Sequence, residues 1–238
     1  EIGSGLVGSE MCIRDRSEDE QKLYYACVQA AVADLGDEQG KLQILAALTR
    51  LRQVCCDPGL CFENYEGPTS KLDACVELCE AMAENGHQIL LFSQFTSMLD
   101  RLRERLDALH ISNFTLQGST PKEKRAAMVK AFNAGSASVF LISLKAGGMG
   151  LNLTAADIVI HYDPWWNQAA QDQATDRAHR IGQQAHVQVY KLIAKDTIEE
   201  RILELQNRKL ALLDTISGCE EAGILNMSSE ELLSLLKS

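Results

Sequence analysis

Two rhythms of apolar residues divide the chain. From Ser17 they recur at helical spacing, through Leu23, Ala26, Cys27, Ala30, Ala31 and Leu35, then through Leu42, Leu45, Leu48, Leu51 and Val54. Residues three and four apart share one helix face, so the two stretches predict a helical hairpin. Cys55-Cys56-Asp57-Pro58-Gly59 interrupts the pattern. The segment through Pro68 reads as a linker, and a helix capped by Ser70 follows to about Glu84. At Gln88 the rhythm changes to short continuous apolar runs: Ile89–Phe92, Phe114–Leu116, Val139–Ile142 and Ile158–Tyr162, with Val187–Leu192 as a fifth. Helical patterns over Thr96–Leu109, Pro121–Phe132 and Gln168–Ile181 alternate with these runs. Buried strands alternating with helices predict an α/β fold with a parallel sheet covered on both faces. A long helix over Thr197–Ile216 and a short one over Ser229–Leu236, started by Ser228 or Ser229, complete the pattern. Glu1–Arg16 shows no convincing period, resembles translated adaptor sequence, and is expected to stand outside the fold.

Composition narrows the class. The 238 residues are 46% hydrophobic and 24% charged, ordinary for a globular protein with a sizeable core. No apolar run approaches the roughly 20 residues that span a bilayer. The expectation is a soluble intracellular protein without a membrane partner, in cytoplasm or nucleoid, or in the nucleus of a eukaryote. Eight irregularly spaced cysteines predict reduced thiols. With no Cys-x2-Cys pair, no metal site is expected. The net charge of −10 argues against a broad basic nucleic-acid surface. A local phosphate site remains open to it, because backbone amides and helix N-termini also hold anions.

In parallel sheets ligands gather at the carboxyl ends of the strands. Those ends carry Ser93-Gln94, Gln117-Gly118-Ser119-Thr120, Ser143-Leu144-Lys145 with the glycines through Gly150, and Asp163-Pro164-Trp165-Trp166. Hydroxyls, glycines and one lysine at three strand ends suit a polyanion backbone, although any single loop could be a plain turn. Asn167 is a good N-cap and Gly182 a good C′ residue for a helix of about four turns. Ala170, Ala174, Ala178 and Ile181 make a thin apolar stripe, while Gln173, Arg177 and Arg180 share another face. Two guanidinium forks on one face suit bidentate contact with phosphate oxygens. The plain alternative is a solvated face with Asp176 and Arg180 as an i,i+4 pair. Gly147-Gly148-Met149-Gly150 fails as a dinucleotide fingerprint, because Leu153 stands where the third glycine belongs and no crossover helix fits before the next strand. No Gly-x4-Gly-Lys-Ser/Thr occurs, so the chain lacks a P-loop of its own.

FSQFTSMLDRL (from Phe92), LQGSTPKEKR (from Leu116), ISLKAGGMGLNLTAADIVIHYDPWWN (from Ile142) and DQATDRAHRIGQ (from Asp172) closely resemble the Swi/Snf family of helicase-like, DNA-dependent ATPases. The likeness covers the second, C-terminal RecA-like lobe and nearly all of the chain from Ser17. Gln168 departs from it, standing where the family commonly has proline. The resemblance implies a helical hairpin and inter-lobe linker over 17–69, the lobe over 70–195, and a brace helix with a short terminal helix over 196–238. It also implies ATP with Mg2+ bound between two lobes, the metal and most phosphate contacts coming from a first lobe not contained here. Arg177 and Arg180 would then act on the γ-phosphate. Gly148 and Gly150 would lie near the nucleotide, and Gln173 would couple the two sites. Ser93, Gln94, Gly118, Thr120, Ser143 and Lys145 would hold backbone phosphates of double-stranded DNA. Trp165 and Trp166 would touch DNA or the other lobe, or form a packed aromatic corner, and His179 would be structural. A DNA-bound protein complex is a further expected partner. The competing reading is a non-catalytic DNA- or protein-binding module, disfavoured because such a module has no chemical need for both arginines.

Overall fold

The computed structural model describes residues 7–34, 40–147, 151–175, 187–213 and 227–236. These fall into two compact units, one within Glu1–Cys12 and Leu72–Leu192, the other within Ile13–Lys71 and Ile193–Ser238.

The first unit is built on a six-stranded sheet, β1 (Val7–Arg14), β2 (Ile89–Ser93), β3 (Asn113–Leu116), β4 (Val139–Ser143), β5 (Ile158–His161) and β6 (Val187–Ala194), in the order β1-β6-β5-β2-β4-β3. β2 pairs in parallel with β4 and β5, β3 with β4, and β5 with β6. All residues of β2, β4 and β5 are buried, the state expected of central strands covered on both faces. The covering helices α3 (Ser70–Glu84), α4 (Thr96–Ala108) and α5 (Lys122–Asn133) lie close to the predicted bounds. Leu90, Phe92, Phe132, Phe140, Ile142 and Val159 anchor the core cluster. Two further helices follow strand ends, α6 (Leu144–Gly147) directly after β4 and α7 (Gln168–Thr175) shortly after β5. Residues 144–147, expected as part of a glycine-rich loop, are therefore one helical turn.

β1 corrects the expectation for the first sixteen residues. Without it, β6 would leave its outer row of N–H and C=O groups open, and an extended segment satisfies such an edge whatever its hydrophobic period. The strand keeps Met11 and Ile13 about half exposed, which is why no alternation marked it.

The second unit joins segments from both ends of the described chain. α1 (Glu18–Asp34) opens with a capping box: the Glu20 amide donates to Ser17 Oγ at 3.2 Å and the Ser17 amide to Glu20 Oε2 at 2.9 Å. α2 (Lys41–Cys56) buries Ile44, Leu48, Leu51 and Val54 on one face. α8 (Ile198–Leu213) buries Ile198 and Ile202, and α9 (Ser229–Ser234), capped by Ser228, buries Leu232. Beneath them Lys71 Nζ donates to both carboxylate oxygens of Glu199 at 2.6 Å, with the two side chains 3% and 0% exposed. The Ala194 amide donates to the same carboxylate at 2.8 Å, and the Ile198 amide to the Tyr24 hydroxyl at 2.8 Å. Burial pushes the Cys55 thiol up to about 12, so it stays an inert thiol at neutral pH. Cys12, Cys27, Cys55, Cys56, Cys61, Cys75 and Cys79 are all unbridged. No helix among the described residues is long and apolar enough to cross a membrane.

Candidate phosphate and nucleic-acid interface

The chain runs from β2 through β3 to β4 on one side of β2, then crosses to β5 and β6 on the other. In such sheets that reversal marks the carboxyl ends of β2, β4 and β5 as the usual ligand crevice. A buried carboxylate sits at these strand ends. Asp163 is fully buried, and its Oδ1 accepts from Ser93 Oγ at 2.6 Å and from the Gln94 amide at 3.2 Å. Ser93 Oγ in turn accepts from the Phe95 amide at 3.2 Å. These bonds stitch the end of β2 to the end of β5, whose last paired residues are Phe92 and His161.

The expected phosphate ligands separate into two groups. Ser93 and Ser143 face each other across β2 and β4 and are 0% and 2% exposed. Their hydroxyls are turned into the protein, which differs from the expectation that they meet a phosphate directly. The strands end inside the surface, and the Asp163 carboxylate captures the first donor. Gln94 is partly buried, with its side-chain nitrogen shielded from solvent. Gly118 and Thr120 lie on the open side. Open space surrounds the position where a Cβ on Gly118 would stand. Thr120 Oγ1 accepts from the Gln117 amide at 3.0 Å, closing a tight turn. Behind that turn, Arg125 Nε donates to the Thr120 carbonyl at 2.6 Å and Nη2 to the Gly118 carbonyl at 2.7 Å. The partly buried guanidinium holds the loop in shape and lends it positive charge. Lys145 belongs to α6 at the end of β4.

α7 starts as its sequence predicts. Asn167 Oδ1 accepts from the Ala169 amide at 3.0 Å, satisfying one of the free donors of the first turn. Ala174 is buried and Gln173 exposed, as the two faces predict. Gln171, which the small-residue stripe did not include, is also buried, and its Oε1 accepts from the Trp165 amide at 3.3 Å. Trp165 and Trp166 are both partly buried. Gly148, Gly150, Arg177, His179 and Arg180, with Ala178, Ile181 and Gly182, lie outside the described residues, as do the side chains of Lys145 and Ala170.

One side chain at this end of the sheet was missed in the sequence. His161 closes β5, is 1% exposed, and stacks on Phe92 at 5.6 Å between ring centres. Its Nε2 lies 3.0 Å from Thr175 Oγ1, and that hydroxyl donates to the Gln171 carbonyl at 3.2 Å. Since the hydroxyl proton is committed, Nε2 must carry the donor proton. Burial, with Lys191 adding to it, lowers the His161 pKa to about 3, so the ring is neutral at physiological pH. The available signal was its position as the one polar residue in the run Ile158–Tyr162. By sequence Asp163 is only part of a strand-end loop, and nothing in the spacing points to Arg125. No group of three or more His, Cys, Asp or Glu among the described residues could hold a metal ion.

A family model for the helicase conserved C-terminal domain matches residues 70–182. An uncharacterized ATP-dependent helicase of Mycoplasma genitalium is 38% identical over 224 residues, 93% of this chain and 22% of that protein. The mouse SWI/SNF-related matrix-associated actin-dependent regulator of chromatin subfamily A member 1 is 36% identical over 208 residues, 81% of this chain and 20% of that protein. The chain thus spans about a fifth of the length of these relatives. Among solved structures, the C-terminal domain of the Sulfolobus solfataricus SWI2/SNF2 ATPase superposes with a TM-score of 0.77 at 27% identity, covering 97% of this chain and 98% of that one. The core of the same archaeal ATPase in complex with dsDNA gives 0.79 at 29% identity, covering 97% of this chain and 50% of that one. With a RecA-like parallel sheet and these relatives, the chain belongs to the SWI/SNF-related family of ATP-dependent helicases, and what it contains is that family's C-terminal lobe.

Proposed function

We propose that this lobe is half of an ATP-driven double-stranded DNA translocase, and that it works with a first RecA-like lobe that completes the ATP site. The observation that carries the reading is the placement of α7: it emerges where the strand order reverses, and Arg177 and Arg180 follow directly in the chain. Those two guanidinium groups act on the γ-phosphate of ATP, holding its oxygens as negative charge spreads during phosphoryl transfer. Gln173, exposed on α7, couples this contact to the crevice, and Gly148 and Gly150 border the nucleotide. The sequence holds no Gly-x4-Gly-Lys-Ser/Thr, so the metal and β-phosphate contacts are assigned to the first lobe.

DNA backbone phosphates are held at the open side of the crevice by Gly118, Thr120 and Lys145, with Gln94 and the Trp165-Trp166 pair at its border. Ser93 and Ser143 act one step removed, by fixing the strand ends. The dsDNA-bound archaeal relative supports a duplex as the partner.

Arg180→Lys in the complete two-lobed protein tests the reading. Lysine keeps the charge and loses the planar fork, so turnover should fall by roughly 10³-fold or more while ATP affinity and melting temperature stay nearly unchanged. Steady-state hydrolysis at saturating DNA and ATP is the measurement. Near-normal turnover would reduce Arg180 to a surface partner of Asp176 and favour a non-catalytic binding module.

A further inference from the structure

The three strands buried on both faces each end in a polar residue, Ser93, Ser143 and His161, and at β5 that residue is an imidazole sealed from solvent. Its surroundings give it one polar purpose. Nδ1 is buried and has no hydrogen-bond partner, so only Nε2–H, pointed at Thr175, offsets the loss of water. Phe92 fixes the ring plane by stacking, and the back-bond from Thr175 to the Gln171 carbonyl fixes the hydroxyl that receives the proton. The imidazole and the Thr175 hydroxyl are thereby each committed to one hydrogen bond. Thr175 precedes Arg177 by two residues and Arg180 by five. α7 is also held by the Asn167 cap at its start, by Gln171 against the Trp165 amide and by Ala174 in the buried core cluster. Of its polar restraints, the one at Thr175 stands nearest in the chain to the arginines.

We propose that His161 and Thr175 form a polar tie that sets the position from which Arg177 and Arg180 reach ATP, making them positioning residues for phosphoryl transfer. The tie connects the buried centre of the sheet to the last described turn of α7. It takes no part in bonding to ATP. This inference rests on the proposed role of the two arginines.

The test uses the complete two-lobed protein carrying Thr175→Val, Thr175→Ser or His161→Phe, beside Arg180→Lys. Valine keeps the shape of threonine and removes the acceptor; phenylalanine keeps the stack on Phe92 and removes the donor. Both should lower kcat by about 10- to 100-fold, the scale expected when reacting groups are displaced by about 1 Å. KM for ATP, DNA affinity and melting temperature should change little, because no apolar volume is lost and an unpartnered buried nitrogen is removed in the histidine variant. Thr175→Ser should restore turnover. The double variant Thr175→Val/His161→Phe should be no slower than the slower single one, since the two share a single contact. Turnover of Thr175→Val within about twofold of wild type, or losses that multiply in the double variant, would overturn the tie. If His161→Phe fails to fold, the Val and Ser pair at partly exposed Thr175 decides alone. A dead Arg180→Lys with a normal Thr175→Val would sink only the tie, whereas normal turnover in Arg180→Lys would sink the reading beneath it.

Discussion

At the scale of single residues, burial separates side chains that hold a ligand from those that hold the protein. Ser93 looks like a phosphate ligand by type and place, but its hydroxyl is spent on Asp163 and on the Phe95 amide. Ser93→Ala should therefore cost about 1–3 kcal/mol of stability, the cost of leaving a buried acceptor short of a donor, and change DNA affinity little at a temperature where the variant is folded. Lys145→Ala should behave in the opposite way, leaving melting unchanged and reducing the salt slope of DNA binding by about one contact. Melting curves and salt titrations of both variants check this, and a flattened slope for Ser93→Ala would restore it as a direct ligand. His161 gives a pH signature. Its folded-state value of about 3 lies below the ordinary 6.5, so between those values the unfolded chain binds a proton that the folded one excludes. Its share of stability is fully present above about pH 6.5 and is lost as pH falls, at up to about 1.4 kcal/mol per unit. Denaturant titrations at about pH 7.5 and about pH 5 should show His161→Phe losing less stability on acidification than wild type.

At the scale of elements, the local helix signals operate as written: the Ser17 and Ser228 capping boxes start α1 and α9, and Asn167 starts α7. Three helices also end alike. After α3, α4 and α5, the residues Gly86, His110 and Gly135 take left-handed backbone conformations, with φ of 83°, 57° and 80°. In each case the next amide returns to a carbonyl five residues back, which satisfies the end of the helix. Long-range partners are what these signals leave out. Lys71 and Glu199 are 128 residues apart and enclosed together. Lys71→Met should destabilise the chain by about 3–5 kcal/mol, because it leaves a buried carboxylate with too few donors. Adding Glu199→Gln should recover part of that loss, and a calorimetric comparison of the single and double variants measures it. A single variant that melts like wild type would show that water reaches the pair.

At the scale of the whole molecule, the proposed function makes the chain one lobe of a shared ATP site. Purified alone it should fold and show no DNA-stimulated ATP hydrolysis, since its sequence has no P-loop. Hydrolysis by the single lobe that is lost on Arg180→Lys would overturn the two-lobed reading. The segments flanking the sheet domain, expected as separate pieces at 17–69 and 196–238, contribute to one compact unit. The brace helix and the hairpin therefore stand or fall together: a truncation that removes α8 exposes the apolar face of α2 and the Lys71 ammonium group.

The sequence determined the class of fold and the end of the sheet where chemistry belongs. Continuous apolar runs at β2, β4 and β5, alternating with helical periods, are consequences of burial on both faces, and burial leaves a local trace. The motifs around Ile142–Asn167 and Asp172–Gln183 determined the family, because side-chain types at fixed spacing survive in the chain as written. Tertiary structure decided which strand-end hydroxyls face inward, that a periodless segment fills the edge beside β6, and that an imidazole, a threonine and a carboxylate organise the crevice. Hydrogen-bond partners such as Ser93 with Asp163, or His161 with Thr175, are chosen by proximity across the folded sheet. Periodicity reports which face of an element is buried, and it carries no information about which polar group waits there.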